Sequence, residues 1–178
     1  MSGNMISSKD RQSLLKWLIS MGFLLSLLFY VSTNIVSISV INGNSMYPTI
    51  KNGETHLVDR INTLPEHGDI VLIEISSSSN THYIVKRVIA TGGEKITIDY
   101  DANSVNLNGV ILPEPYINQE ECDPMRMSQD IGVIEYVVPD GFVFVMGDNR
   151  NHSVDSRNKG IGLISQDEII GKIISLGT

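Results

Sequence analysis

The feature that most constrains this chain is an apolar stretch close to its N-terminus. From Trp17 to Val31 almost every residue is apolar, and no charged residue occurs between Lys16 and Lys51. A membrane-spanning helix needs about 20 such residues, so we predict a transmembrane anchor over residues 14–33. A chain of this kind has to place a lipid-facing helix on one side of whatever else it folds into.

The flanks of this stretch predict its orientation. Basic residues precede it, in the polar tail of residues 1–13, which favours a cytoplasmic N-terminus. Residues 34–178 are then expected to form an extracytoplasmic domain anchored to the cell membrane as a single-pass protein. Their number fits one domain with a real hydrophobic core.

Two other interpretations of the apolar stretch are open. It also suits a cleavable signal peptide, since Ser37-Ile38-Ser39 has the small-x-small pattern of a cleavage site. The stretch is longer than the 7–15 residues usual in a signal peptide, which favours a retained anchor. A buried core helix is the other alternative.

Short segments of strand character follow the anchor. They are rich in β-branched residues, alternate between apolar and polar positions, and are separated by turn residues such as Asn52-Gly53 and Asn108-Gly109. The predicted strands are 35–41, 55–59, 70–75, 83–90, 95–99, 105–108, 136–138 and 141–146, with short apolar runs over 161–174. Residues 113–132 lack periodicity and are expected to form an exposed excursion. The pattern predicts a mostly β, antiparallel domain after one helix.

Composition excludes several kinds of function. The net charge of −7 argues against a nucleic-acid-binding surface, which requires a basic patch. The four histidines are scattered, with no spacing typical of a metal site. Cys122 is the only cysteine and lies among acidic residues, which raise a thiol pKa, so it is not expected to be a nucleophile.

The first candidate for chemistry is Ser45. It lies just beyond the first predicted strand, after Gly43 and Asn44, and shortly before Pro48, which stiffens the following turn. A hydroxyl presented in this way is a candidate nucleophile, although an isolated serine in a turn more often has no catalytic role. Met46 and Tyr47 beside it are more typical of core residues than of a membrane contact.

Lys86 is the second candidate, because it lies in an apolar strand. Alternation puts Lys86 and Arg87 on opposite faces, so one of these two cations is expected to point inward. A solvent-reaching edge-strand lysine is the ordinary alternative. A desolvated Lys86 would need a pKa lowered from ~10.4 to about 7–8 to act as a base near neutrality. A neutral amine could then activate the serine hydroxyl.

A dense polar loop, Met146 to Arg157, follows the last long strand. It is either a solvated turn or the support of a site. In the second case Ser153 could hold the lysine amine, while Asp155 with Arg157 could lock the loop. His152 leaves open a different arrangement, in which Ser45, His152 and an aspartate form a triad that leaves Lys86 without a role.

Together these segments resemble the ordered motifs of type I signal peptidases, and with the anchor they span most of the chain. The matching segments are Gly43-Asn44-Ser45-Met46-Tyr47-Pro48-Thr49, Gly68-Asp69-Ile70-Val71, Tyr83-Ile84-Val85-Lys86-Arg87-Val88 and Gly147-Asp148-Asn149-Arg150 through Ser153, Asp155, Ser156 and Arg157. The single anchor and the short excursion resemble the compact forms of Gram-positive bacteria.

The resemblance implies a role for each matching residue. Ser45 would be the nucleophile and Lys86 the general base, with Ser153 orienting the lysine. The active-site framework would be held by Asp148, Arg150, Asp155 and Arg157. One departure concerns Gly43, which stands where some members carry a serine that helps to form the oxyanion hole, so the hole would rely on backbone N–H groups, chiefly that of Ser45.

The resemblance also implies substrates and partners. The substrates would be preproteins cut after a small-x-small motif, typically Ala-x-Ala, and the partners would be signal peptides, the lipid bilayer and either secretion machinery or pilins. No cofactor or metal is implied, since the serine and lysine supply nucleophile and base. Pockets for small side chains are expected near Ile41 and Ile84.

Four alternatives to this interpretation are open. A self-cleaving protein related to the SOS repressors would share the Ser-Lys pair, but those proteins are soluble and carry a DNA-binding domain. A signal-peptidase-like factor that assembles pili or other surface polymers would not need to retain both Ser45 and Lys86. A peptidase dedicated to pilins, and a purely structural membrane protein, complete the range.

Overall fold

A long N-terminal helix precedes the folded domain. The structure is a computed structural model and describes residues 8–77, 80–117 and 132–174. Helix α1 covers Ser8–Asn34 and includes the predicted anchor. Its segment Lys9–Val31 is long and apolar enough to cross a bilayer by length and composition, and none of it is buried against the rest of the protein. The helix is therefore not a core helix of the domain that follows.

Strands dominate the rest of the described chain, as the alternating pattern predicts. In chain order they are β1 (Val36–Val40), β2 (Thr55–Asp59), β3 (Ile70–Ser77), β4 (Asn80–Thr91), β5 (Lys95–Asp99), β6 (Ser104–Leu107), β7 (Val110–Ile111), β8 (Val133–Val137), β9 (Phe142–Met146), β10 (Ile164–Ser165) and β11 (Ile169–Ile174). Short 3₁₀ turns at Arg150–His152 and Gln166–Glu168 are the other helical elements described.

The strands form two antiparallel sheets. The larger has the order β1-β2-β11-β3-β4-β9-β10, and the smaller has the order β7-β6-β5-β8. The predicted mostly antiparallel β fold after one N-terminal helix is confirmed. The predicted hairpin of β5 and β6 is present, and Asn108 and Gly109 form a two-residue turn from β6 into β7, both with positive φ.

Burial of apolar side chains holds the sheets together in three clusters. One joins the two sheets, where Ile96 and Ile98 of the small sheet pack near Phe144 of the large one. A second lies within the large sheet around Val71, Val88 and Val145. The third is the important one for the site, and its residues are Ile41, Met46, Ile50 and Val85.

Met46 fixes the turn that carries Ser45. The side chain is 1% exposed, and burying a methionine contributes roughly 1.5–3 kcal/mol. Because Met46 follows Ser45 directly, its burial beside Val85 of β4 holds the serine close to that strand. The predicted core role of Met46 is confirmed.

The large sheet also leaves a gap between β1 and β4. Strand β1 is the edge strand, and β4 pairs with β9 only from Arg87 onward, so residues 83–86 have no described strand partner on that side. Four successive antiparallel pairings separate β1 from β4, so the two strands run in the same sense. Two unpaired strand edges therefore border one space.

The expectation of an exposed excursion over residues 113–132 is wrong at its beginning. Glu114 is turned towards the polar loop, with a side chain only 9% exposed. It is held there because its carboxylate pairs with a buried arginine from the polar loop. Residues 118–131, which include Cys122, lie outside the described residues.

Candidate active site

The structure brings Ser45 and Lys86 into contact. Ser45 lies in the connection between β1 and β2, and Lys86 lies in β4. Lys86 Nζ donates a hydrogen bond to Ser45 Oγ at 2.8 Å and another to the Val85 carbonyl oxygen at 2.9 Å. The second bond holds the amine beside β4, so the amine has a fixed position relative to the serine hydroxyl.

Both strand cations are turned inward, whereas the alternation predicted one. Lys86 is 3% exposed, and the Arg87 side chain is 11% exposed. Two inward cations are tolerated because they meet different partners: Arg87 pairs with a carboxylate, while Lys86 meets a hydroxyl and a carbonyl. Lys86 is thus the one that gains no salt bridge within 4 Å in the described residues.

The pKa of Lys86 is lowered because its amine is buried beside a hydroxyl and a carbonyl, with no carboxylate of the described residues in contact. Burial is the main cause, and it brings the pKa from 10.5 down to about 8. The negative charge of Asp155 opposes the shift, the positive charge of Arg157 reinforces it, and Asp148 opposes it again. An amine with this pKa is largely neutral in mildly alkaline solution, as a general base has to be.

The polar loop over residues 147–157 holds the Ser45 turn from the other side. The Asn149 N–H donates to the Ser45 carbonyl oxygen at 3.0 Å, and Asn149 Nδ2 donates to the Asn44 carbonyl oxygen at 3.1 Å. Gly147 also lies against the Ser45 carbonyl and Ser153, with no room for a side chain. The backbone position of the serine is therefore set by the loop as well as by the burial of Met46.

Asp155 and Arg157 lock this loop internally. Arg157 Nε and Nη2 donate to the two carboxylate oxygens of Asp155 at 2.8 Å each, and both side chains are fully buried. Asp155 also accepts from the Gly147 N–H at 2.9 Å. Burial alone would raise the pKa of Asp155, but Arg157 and the Gly147 N–H bring it below its ordinary value. The ion pair that the sequence suggested is present, and its role in holding the loop stays a prediction.

Asp148 ties together all four segments of the family resemblance. Arg87 Nε and Nη2 donate to its two oxygens at 2.8 and 2.6 Å, and Thr49 Oγ1 donates to it as well. Arg87 Nη1 donates in turn to the Gly68 carbonyl oxygen at 2.8 Å. Arg87 and Thr49 were not among the predicted site residues, although both lie within the segments that carried the resemblance.

Arg150 is held by a residue from outside those segments. It is 1% exposed, and its Nη1 donates to Glu114 Oε2 at 2.9 Å while its Nη2 pairs with Oε1. Burial alone would lower the pKa of Arg150, but Glu114 raises it above the ordinary value. Arg150 Nε donates to the Gly147 carbonyl oxygen at 3.2 Å. The Glu114–Arg150 pair therefore helps to fix the loop that holds the Ser45 turn.

Tyr116 adds a second contact from the same segment. Its ring lies 4.0 Å from the Arg87 guanidinium, and its hydroxyl donates to Glu114 Oε1 at 2.9 Å. Burial, followed by the negative charge of Glu114, raises the pKa of Tyr116. The sequence signal for both residues was weak, since a Pro-rich acidic stretch without periodicity is typical of a solvated loop.

Ser153 is close to the dyad without touching the lysine. It is 7% exposed, and its hydroxyl makes no hydrogen bond to Lys86 or to any other described residue. It lies near enough to Asp155 to help lower the pKa of that carboxyl. Its role in orienting Lys86 stays a prediction.

His152 is not assembled into a triad in this structure. It is exposed, and its described hydrogen bonds do not include one to Ser45. Its backbone N–H donates to the Asn149 carbonyl oxygen at 3.0 Å, which belongs to the turn itself. The geometry therefore favours Lys86 over His152 as the partner of the serine.

The conformation and hydrogen bonding of Gly43 limit which groups could donate to the oxyanion. Its φ of +112° is one that residues with a side chain rarely adopt. Its N–H donates to Asn52 Oδ1 at 2.8 Å and so is already engaged. The Ser45 N–H remains the expected donor, as predicted.

A cleft of about 590 Å³ opens in front of the dyad. It fills the gap between β1 and β4 and combines apolar with polar walls. Its lining includes Ser37 to Asn42, Ser45, Arg60, Leu72, Glu74, Tyr83 to Lys86 and Ile170. Ile41 and Ile84 both belong to it, so the two predicted pocket residues border the same space as the dyad. Within the described residues, no group of three or more His, Cys, Asp or Glu side chains could hold a metal ion.

Comparison with known proteins gives consistent matches over most of the chain. The model of a family described as signal peptidase, peptidase S26, matches residues 14–176. Signal peptidase I T of Bacillus subtilis strain 168 is 42% identical over 139 residues, covering 74% of this chain and 68% of the relative. Signal peptidase IB of Staphylococcus aureus strain Mu50 is 34% identical over 176 residues, covering 92% and 88%.

A third relative and one solved structure are also similar to this chain. Signal peptidase I of Bacillus licheniformis is 33% identical over 172 residues, covering 93% of this chain and 89% of the relative. The crystal structure of a signal peptidase I from Enterococcus faecalis V583 matches with a TM-score of 0.48 and 27% identity, over 62% of this chain and 97% of that one.

Proposed function

Because this chain belongs to the signal peptidase family, peptidase S26, and is therefore a hydrolase that removes signal peptides, we propose that it does so with Ser45 as nucleophile and Lys86 as general base. The observation that carries this proposal is the 2.8 Å contact between Lys86 Nζ and Ser45 Oγ. The lowered pKa of Lys86, about 8, supports it further.

The chemistry follows from this contact. Neutral Lys86 takes the proton of Ser45 Oγ as the oxygen attacks the carbonyl carbon of the scissile bond. The negative oxygen of the tetrahedral intermediate accepts from the Ser45 N–H. Protonated Lys86 then gives its proton to the leaving nitrogen, which becomes the N-terminus of the mature protein. A water molecule, activated by the same amine, releases the signal peptide from the serine ester.

The cleft suits an extended peptide. A strand laid between the free edges of β1 and residues 83–86 of β4 would find unpaired backbone donors and acceptors on both sides. Because β1 and β4 run in the same sense, such a peptide is either parallel to both or antiparallel to both, and entry from the membrane at the start of β1 would make it parallel. Main-chain hydrogen bonds would then provide affinity that does not depend on the signal sequence.

The same geometry supports cleavage after small-x-small motifs. Residues two apart in an extended peptide point to the same face, so the two small residues face one wall while the residue between them faces away. Ile41, Leu72 and Ile84 line the cleft and provide an apolar wall. Alanine fits a shallow apolar site of this kind, and larger side chains do not.

The anchor supports a site at the membrane surface. Helix α1 ends at Asn34, and β1 begins at Val36, so Ser45 lies within ~40 Å of the helix end even in fully extended chain. We propose that residues 14–33 span the membrane with residues 1–13 in the cytoplasm and residues 34–178 outside. A signal peptide held in the same bilayer would enter the cleft at the start of β1 and reach Ser45 with its cleavage site.

The partners are then preprotein signal peptides and the lipid bilayer. Delivery of preproteins by secretion machinery, or a narrower set of substrates such as pilins, is compatible with the same site. A non-catalytic role in assembling surface polymers is less favoured, because it gives no reason for a buried amine to be kept beside a serine at 2.8 Å.

The test is cleavage of an Ala-x-Ala preprotein by the detergent-solubilised full-length protein. Wild type is compared with Ser45→Ala, Lys86→Met and His152→Ala. Loss of cleavage in the first two variants, with cleavage retained by His152→Ala, supports the proposal. Cleavage by Lys86→Met together with loss in His152→Ala would replace the lysine by a histidine base. A wild type that cleaves neither general nor pilin-type preproteins would favour the assembly role.

A further inference from the structure

The Ser45 turn borders a second depression that the mechanism above does not use. It has a volume of about 410 Å³ and is lined by Asn44, Tyr47, Asn149 and His152. We call it the distal recess. It shares no lining residue with the cleft, yet Asn44 and Tyr47 belong to the same turn as Ser45, which lines the cleft. The nucleophile therefore stands between two depressions.

The direction of the substrate relates these two depressions to each other. Under the proposed function, the signal peptide runs along β1 towards Ser45, so residues before the scissile bond fill the cleft. A polypeptide substrate is continuous, and the residues after the bond have to leave the dyad over the surface beyond the serine. The distal recess is a depression next to Ser45 on which this path can continue, because Asn44 and Tyr47 of the same turn line it.

We propose that the distal recess binds the first residues of the mature protein, immediately after the cleaved bond. This inference rests on the proposed function, because it takes its direction from the path of the signal peptide. It makes the recess a second determinant of substrate choice, acting on the mature side of the bond.

The chemistry of the recess indicates what it accepts. Its lining offers two amides, a phenol and an imidazole, and among them no side chain with a permanent charge. Asn149 Oδ1 is buried and makes no hydrogen bond to any described residue. That oxygen is enclosed by the protein, so it is the uncharged lining of the recess that indicates which residues it accepts. We therefore expect small or uncharged polar residues to be preferred at the first mature positions.

Asn149 also ties the recess to the reaction. Its backbone N–H binds the Ser45 carbonyl oxygen at 3.0 Å, and its Nδ2 binds the Asn44 carbonyl oxygen at 3.1 Å. A peptide seated beside Asn149 is thereby held at a fixed place relative to the nucleophile. Such placement contributes to the rate through orientation of the scissile bond.

Photo-crosslinking tests the location directly and without turnover. A preprotein carrying benzophenone at the second residue after the bond is bound to full-length Ser45→Ala, and the labelled enzyme peptide is mapped. We expect labelling within residues 44–47 or 149–152. Benzophenone at the second residue before the bond, which lies between the two small positions, is the control and should label the cleft lining within residues 37–42 or 83–86. Labelling of the cleft from both positions would overturn the inference.

Kinetic selectivity tests the contribution of the recess side chains. Two preproteins that differ only at the first two mature residues, one small and polar and one bulky, are compared by kcat/KM. Tyr47→Ala and His152→Ala are expected to change that ratio by roughly fivefold or more, while leaving the ratio for an Ala-to-Val change before the bond unaltered. Val154→Ala, an exposed change in the same loop, is the matched control. Unchanged ratios in both recess variants would overturn the inference.

The two hypotheses can fail separately. If the control probe labels the cleft while the mature-side probe misses the recess, the distal recess is wrong and the proposed function stands. If the wild type cleaves no preprotein and neither probe labels the cleft, the proposed function is wrong, and the inference that rests on it is wrong as well.

Discussion

Lys86 Nζ lies 2.8 Å from Ser45 Oγ, although 41 residues separate the two in the chain. The contact depends on two separate devices: the burial of Met46 beside Val85, and the hydrogen bond from the Asn149 N–H to the Ser45 carbonyl oxygen. The first connects the Ser45 turn to β4 of the large sheet, and the second connects it to the polar loop that follows β9.

Replacing Lys86 by methionine should abolish cleavage and stabilise the fold. Loss of a general base costs about 10²–10⁴-fold in rate, measured as kcat/KM on an Ala-x-Ala preprotein. The lowered pKa means that the buried charged amine costs about 3 kcal/mol at pH 7, and methionine removes that cost. Thermal unfolding at pH 7 should therefore show a higher melting temperature. A variant that is inactive because it is unfolded would contradict this.

Activity should rise with pH through about 8. The neutral amine is the active form, so kcat/KM is low below this pH and levels off above it. The stability contribution of Lys86 has the same sign: between about pH 8 and 10.5 the unfolded chain binds more protons, so the free energy of unfolding rises with pH. The pH profile of kcat/KM measures the first effect. An activity that does not rise through this range would argue against Lys86 as the general base.

Gly147→Ala should impair both folding and catalysis. A Cβ at this position would collide with Ser153 Oγ and with the backbone carbonyl of Ser45. Backbone cannot give way as a flexible side chain does, so the Ser45 turn has to shift. Gly160→Ala is the control, since its Cβ would meet only the Asn158 side chain at 3.1 Å. Equal melting temperatures and rates for the two variants would show that the collision is relieved elsewhere.

Arg87→Gln should be strongly destabilising. It leaves Asp148 buried without its bidentate partner, and breaking a buried ion pair from one side costs about 3–5 kcal/mol. Lys95→Gln, which breaks an exposed pair with Glu135, should leave the denaturation midpoint nearly unchanged, because exposed pairs contribute little. Chemical denaturation of both variants measures the difference. Similar midpoints would mean that Asp148 is reached by water.

Glu114→Gln should lower kcat more than it changes KM. The substitution leaves the Arg150 guanidinium buried with a weakened partner, and Arg150 contacts the loop that holds Ser45 rather than the cleft. Tyr116→Phe is the matched variant, because it keeps the ring over Arg87 and removes only the hydroxyl bond to Glu114. It should have the smaller effect. A change confined to KM would place Glu114 in substrate binding.

Much of the fold could be predicted from local pattern. Alternation of apolar and polar residues predicts strands such as β5 and β6, and Asn108-Gly109 marks the turn between β6 and β7 because such a turn requires positive φ at both residues. The pairing order could not be predicted. In the large sheet β11 lies between β2 and β3, which depends on contacts between residues 96 to 117 positions apart in the chain.

The supporting residues of the site were the harder part. Arg87 and Thr49 lie in segments that carried the family resemblance, but their role depends on a shared carboxylate, Asp148, far along the chain. Glu114 and Tyr116 lie in a stretch whose composition is typical of a solvated loop. Their structural role depends on the buried guanidinium of Arg150, which comes from another segment. A local sequence pattern carries no information about that contact.

The sequence by itself determined the apolar N-terminal helix, the β-rich domain after it and the chemical groups that could react. These depend on hydrophobicity and periodicity, which are local properties of the chain. The tertiary structure decided which of two adjacent cations is paired with a carboxylate and which meets the serine. The pKa of Lys86 follows from that choice, because desolvation is set by every atom that surrounds the amine, and those atoms come from segments that are distant in sequence.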